Sequence, residues 1–224
     1  MKVRHGLMLV VAALSALTLA AGCGGGAGGK DELVVGVYGS LTGGDATFGE
    51  STKMGVELAV KQLVDAKAGK IGGLPVRTVV EDDQGKAEEA ATVVQKLINQ
   101  DQVITVIGEV ASSRSLAAAP ICQAAGVPMI TPSSTNPKVT EVGEFISRMC
   151  FIDPFQGTVM AKFASANLGV KRVAILKDVK SDYSVGLAQF FTEAFKAAGG
   201  TIVAEQAYTA GDQDFSAQLT ALKA

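Results

Sequence analysis

The stretch Val103-Ile-Thr-Val-Ile-Gly-Glu-Val-Ala-Ser-Ser-Arg114 sets a short apolar run against an abrupt polar break. Val103 to Ile107 reads as a buried strand, and Gly108 to Arg114 as the loop at its carboxyl end. Val127-Pro-Met-Ile130 followed by Thr131-Pro-Ser-Ser-Thr-Asn-Pro137 repeats the arrangement further on. Ligands of open α/β sheets sit outside the carboxyl ends of the strands. Two hydroxyl-rich loops at such ends therefore predict one shared polar binding site, without an obvious catalytic group.

Outward from these loops the chain alternates strands and helices. Strands are expected at Leu33 to Tyr38, Val76 to Val80, Val103 to Ile107 and Val127 to Ile130, with a short one at Phe145 to Met149. Helices are expected from Thr47 to Ala66, with Met54, Leu58 and Leu63 among its apolar positions, from Lys86 to Asn99, and from Ser115 to Ala125. Asp153-Pro154 breaks the pattern. A second series follows: helix Gln156 to Asn167, strand Arg172 to Leu176, helix Ser184 to Ala197, strand Thr201 to Glu205, and a last helix from about Asp214. Strands separated by helices predict a parallel sheet covered on both faces. The fold expected is α/β with two doubly wound lobes, 33–152 and 153–224. The second lobe has too few strands for a comfortable sheet, so the chain is expected to be truncated and to leave apolar surface uncovered.

The first 23 residues read as an export signal. Lys2 and Arg4 precede a continuous apolar segment from Leu7 to Leu19, and Ala20-Ala-Gly-Cys23 is a small-residue cleavage site ending in cysteine. The pattern resembles a bacterial lipoprotein signal, which makes Cys23 the lipidated first residue, on the periplasmic side of the cell envelope. Residues 24–32 form a glycine-rich tether. Removing Lys2 and Arg4 takes the formal charge from -2 to -4, and no basic stripe invites nucleic acid. Cys122 and Cys150 remain, and an exported protein can pair two cysteines; the alternative is two separate thiols.

The one histidine, His5, lies in the signal. The mature chain therefore lacks the base of Ser-His-Asp and Cys-His catalysis and the commonest metal ligand. It also has no phosphate-binding glycine loop after a strand and no Cys-x-x-Cys zinc spacing. An enzyme is disfavoured, and no cofactor or metal is expected. Glu81-Asp-Asp83 reads as a solvated strand end. Ser112 and Ser113 precede a helix, where unpaired N–H groups and the positive dipole end favour a carboxylate; N-capping is the plainer role. Ser133, Ser134 and Thr135 lie between Pro132 and Pro137, which limit the loop's ordering cost. Arg114 reads as an exposed helix arginine.

At these residues the chain resembles the leucine/isoleucine/valine-binding proteins of bacterial ABC transporters, which have the type I periplasmic binding fold. The matching elements include Gly39-Ser-Leu-Thr-Gly43 with Phe48-Gly49, Gly72-Gly73, Glu81-Asp-Asp83, Ala111-Ser-Ser113, Pro132-Ser-Ser-Thr-Asn-Pro137, Gln156-Gly157, Val173-Ala-Ile-Leu176, Tyr183 with Gly186-Leu-Ala188, and Asp214-Phe-Ser216. The resemblance implies an inter-lobe cleft for a branched-chain or related aliphatic amino acid, delivered to an inner-membrane ABC permease. It implies Ser112 and Thr135 as carboxylate donors beside Ser113, a Ser133 backbone contact to the ammonium, Tyr183 closing from the second lobe, and Phe48 as an apolar wall. Amides, urea, aromatic acids or a sensing role are the alternatives within the same fold. The first-lobe disulfide of some members is absent, because Gln84-Gly85 and Ala111 stand in its place.

Overall fold

The computed structural model describes residues 31–67 and 69–223. The expected signal, the lipidation of Cys23 and the first part of the tether lie outside the described residues. Strand β1 (Leu33–Gly39) is the centre of a six-stranded sheet. Helix α1 (Ala46–Ala66) follows it, then the short β2 (Lys70–Ile71) and the long β3 (Leu74–Asp82). Helix α2 (Ala87–Asn99), β4 (Thr105–Ile107), α3 (Ser112–Ala125), β5 (Met129–Thr131), the single turn α4 (Lys138–Glu141) and β6 (Ile146–Arg148) complete it.

The strand order is β2-β3-β1-β4-β5-β6, and every pairing except the β2–β3 hairpin is parallel. The chain runs from β1 to β3 on one side and then crosses to β4 on the other. The crevice for a ligand thus opens between the loops after β1 and β4. The core lies between the sheet and the α2/α3 layer. Ala90, Val93, Val94 and Leu97 of α2 pack there with Val106, Ala118, Ala119 and Cys122. These α2 positions are the ones its 3.6-residue periodicity predicts.

Helix α1 departs from its expected role. Met54, Leu58 and Leu63 are all at least half exposed, and only Gly49 and Val56 are buried. Gly49 sets how close the helix comes: a Cβ there would lie 1.9 Å from the Ser40 carbonyl oxygen. Helix α3 begins earlier than expected, at Ser112, with Ala111 as its cap residue and no side-chain cap bond.

Asp153-Pro154 opens the helix expected from Gln156. Helix α5 (Asp153–Lys162) carries Pro154 in its first turn, where the missing N–H costs nothing, and runs into a π turn at Phe163–Asn167. Strand β7 (Arg172–Asp178), α6 (Asp182–Ala197), β8 (Thr201–Tyr208) and α7 (Ser216–Lys223) follow. β7 and β8 pair in parallel as a separate two-stranded sheet. Helices α5 and α6 pack closely because Gly157 meets the Phe190–Phe191 backbone, where a Cβ would come within 2.7 Å. Leu176, Val203 and Leu219 stay exposed around this sheet. No helix among the described residues is long and apolar enough to cross a membrane.

Candidate functional site

The loops after β1, β3 and β4 are joined by a buried polar cluster that the sequence reading did not anticipate. Ser40 Oγ donates within reach of Asp83 Oδ1 (3.0 Å) and Glu109 Oε1 (2.9 Å), and Ser40 N donates to the same Glu109 oxygen at 3.1 Å. Arg114 Nη1 donates to Glu109 Oε1 at 3.0 Å and to Ser40 Oγ, while its Nη2 pairs with Asp45. Arg114 is only 9% exposed, so it is an internal clamp and not a surface arginine.

The acidic run likewise turns inward. Asp82 accepts from Leu41 N, Gln84 N and Thr42 Oγ1, and Glu81 pairs with Lys96. Asp83 is fully buried; that burial, reinforced by the Glu109 charge, lifts its carboxyl to about 6. Gly108 lets the β4 loop pass over β1: its φ is +127°, and a Cβ there would lie 1.9 Å from the Tyr38 carbonyl oxygen.

Hydroxyls tie the two serine/threonine loops to each other. The Glu109 carbonyl accepts from Thr131 Oγ1 (2.6 Å), Ser134 Oγ (2.9 Å) and Ser115 Oγ (3.2 Å). Ser115 and Ser134 also share a hydrogen bond at 2.7 Å. Ser112 Oγ accepts from Asn136 N at 3.2 Å, leaving its own proton for another acceptor. Ser134 and Asn136 are buried in these contacts, and Thr135, also buried, lines a cleft together with Ser133.

The cleft has a volume of about 860 Å³, and all six residues singled out from sequence line it: Phe48, Ser112, Ser113, Ser133, Thr135 and Tyr183. Phe48 is 59% exposed at the start of α1, and Tyr183 is 37% exposed at the start of α6. The two sides touch through Ser113 Oγ, which accepts from Asp182 N at 2.9 Å, and through Asn136 Nδ2, which donates to the Asp182 carbonyl at 2.8 Å. Gln156 Nε2 donates to the Tyr183 hydroxyl at 3.0 Å. Gly186 permits this approach, since a Cβ there would lie 2.9 Å from Asn136 Nδ2.

Two kinds of polar group remain open in this cleft. The N–H groups of Ser112 and Ser113 belong to the first turn of α3 and have no intrahelical acceptor. The Thr135 hydroxyl is buried without a hydrogen-bond partner. Of the carbonyls from Ser133 to Pro137, the Ser133 carbonyl is the one without a donor among the described residues; the others are bonded. Donors for an anion and an acceptor for a cation therefore stand side by side. Burial raises the Asp153 carboxyl behind the loop, against the pull of the nearby Thr135 hydroxyl and the Arg148 charge.

Cys122 and Cys150 are not bridged. Cys122 sits in the core, where burial pushes its thiol up to about 12, and Cys150 lines the cleft. Among the described residues no group of three or more His, Cys, Asp or Glu side chains is placed to hold a metal ion.

The six-stranded sheet, the crossover and the second α/β unit make this a type I periplasmic binding protein fold. Residues 32–224 match the periplasmic binding protein family, and the chain belongs to that family. A curated relative, an amino acid binding protein of Pseudomonas aeruginosa, is 36% identical over 86% of this chain and 51% of its own length. The solved leucine binding protein of Thermotoga maritima is 44% identical with a TM-score of 0.78, over 84% of this chain and 52% of that one. A branched-chain amino acid transporter substrate binding protein from Streptococcus pneumoniae, solved with isoleucine, is 35% identical with a TM-score of 0.77, over 86% and 54%. The chain thus spans about half the length of the relatives it matches.

Proposed function

We propose that this chain captures a branched-chain or related aliphatic amino acid in the cleft between residues 33–152 and 153–224, for delivery to an ABC permease. The observation that carries the reading is the convergence of the Ser112 and Ser113 N–H groups, the Ser112 hydroxyl and the unpartnered Thr135 hydroxyl on one cleft wall. A carboxylate placed there accepts several charge-assisted hydrogen bonds at the positive end of α3. The open Ser133 carbonyl then accepts from the ammonium group. Phe48, Val110 and Phe151 give the same cleft an apolar surface suited to an aliphatic side chain. The names of the relatives support the same ligand class.

Tyr183 covers the ligand from the α6 side, and the segment at Asp153 is the hinge about which the two parts close. Closure is favoured only to the extent that the ligand binds the closed state better. Lipidation at Cys23 holds the protein at the membrane facing the periplasm. The test is calorimetric titration of this chain with leucine, isoleucine and valine, beside Thr135→Ala, benzoate and acetamide. Heat with the aliphatic amino acids that Thr135→Ala weakens supports the reading. Heat only with benzoate or acetamide, or none with any solute from a cooperatively folded sample, rejects it.

A further inference from the structure

Arg148, at the carboxyl end of β6, stands behind the 133–137 loop, opposite Thr131 in the parallel β5–β6 register. Its guanidinium reaches four acceptors on that loop and the turn that follows. Nη1 donates to the carbonyls of Ser134 (2.6 Å) and Asn136 (2.9 Å), and Nη2 to the Pro137 carbonyl (3.0 Å) and Thr140 Oγ1 (2.7 Å). It forms no ion pair among the described residues, and its N–H groups are spent on three backbone carbonyls and one hydroxyl. The remaining carbonyl, that of Thr135, is held by Asp153 N at 3.0 Å.

Every carbonyl from Ser134 to Pro137 is thus fixed by the segment 148–153. The consequence lies on the opposite side of the loop. With those carbonyls drawn rearward, the Ser133 carbonyl and the Ser133 and Thr135 side chains are the groups left to the cleft.

We infer that Arg148 is a positioning residue for ligand binding: its planar guanidinium sets the loop before the ligand arrives, and so removes most of the ordering cost from binding. The inference rests on the amino-acid-binding reading for its affinity arm only. A lysine is a point donor on a flexible stem and cannot span four acceptors in one plane.

The experiment compares the wild-type chain with Arg148→Lys and Arg148→Ala, by hydrogen exchange without ligand and by leucine titration. The expected result is that the amides of 133–136 exchange at least tenfold faster in both variants while those of β4 are unchanged. Leucine affinity should fall at least tenfold in both, although Arg148→Lys melts close to wild type. Unchanged loop exchange in Arg148→Lys, or wild-type affinity in it, overturns the assignment. Should wild type bind no amino acid, the functional reading fails, and the exchange comparison still decides the role of Arg148. Should Arg148→Ala fail to fold, Arg148→Lys alone decides it.

Discussion

Replacing Thr135 with valine should weaken binding while leaving stability almost unchanged. The side chain is nearly isosteric, and Thr135 is only 7% exposed. Its hydroxyl has no hydrogen-bond partner, so the folded chain holds a desolvated polar group that the unfolded chain hydrates. Such a group costs roughly 1–3 kcal/mol on protein scales. The offset is the hydroxyl's pull on the buried Asp153 carboxyl, whose oxygens have no other hydrogen-bond partner and whose pKa the hydroxyl lowers against its burial. The two effects are of similar size, so the net expectation is a stability within about 1 kcal/mol of wild type.

Binding should instead lose one hydrogen bond to a charged carboxylate, about 1.5–3 kcal/mol, which is roughly ten- to a hundredfold in Kd. Urea denaturation supplies the first number and leucine calorimetry the second. A Thr135→Val chain destabilised by well over about 1 kcal/mol, or one that binds leucine as wild type does, would refute the assignment of an open donor at this site.

The remaining predictions probe the frame of the site. Asp83 stands near 6 in the folded chain, above the ordinary value of 3.8, so the native state holds a proton that the unfolded state releases between about pH 4 and 6. Stability should fall as pH rises through that window, by up to roughly 3 kcal/mol, and Asp83→Asn should flatten that part of the profile in denaturant titrations; a rise instead would contradict the burial argument. Gly49→Ala should destabilise by about 1–3 kcal/mol despite alanine's better helix propensity, because the added methyl meets the Ser40 carbonyl; an unchanged urea midpoint would show that α1 can shift freely. Iodoacetamide should reach Cys150 before Cys122 in the native chain, and peptide mapping that finds Cys122 labelled first would contradict its place in the core.

The alternation of strands and helices was legible because apolar runs bounded by glycine and polar loops carry it locally. Strands β1, β3, β7 and β8 fall where the runs lie, and the inward face of α2 follows its periodicity. The two hydroxyl-rich loops were legible as well, since a strand followed by serines places donors at a sheet's carboxyl edge. Local pattern misled where burial is decided at long range. The apolar positions of α1 suggest a core face, but the helix packs through Gly49 and Val56 and leaves Met54 and Leu58 in solvent. Arg114 and Asp83 look solvated until Ser40, Glu109 and Asp45 are brought to them from distant loops. Arg148 gave no signal because three of its four partners are backbone carbonyls, which no side-chain pattern records.

The central claim is that the α3 N-terminus and the Thr135 loop hold an amino acid by its carboxylate. A crystal structure of this chain grown with leucine tests it most directly. The account predicts the leucine carboxylate within hydrogen-bond distance of the Ser112 and Thr135 hydroxyls and of the first α3 N–H groups, with its ammonium on the Ser133 carbonyl. Leucine bound outside this cleft, or within it with its carboxylate turned toward β7 and α6, would contradict the claim.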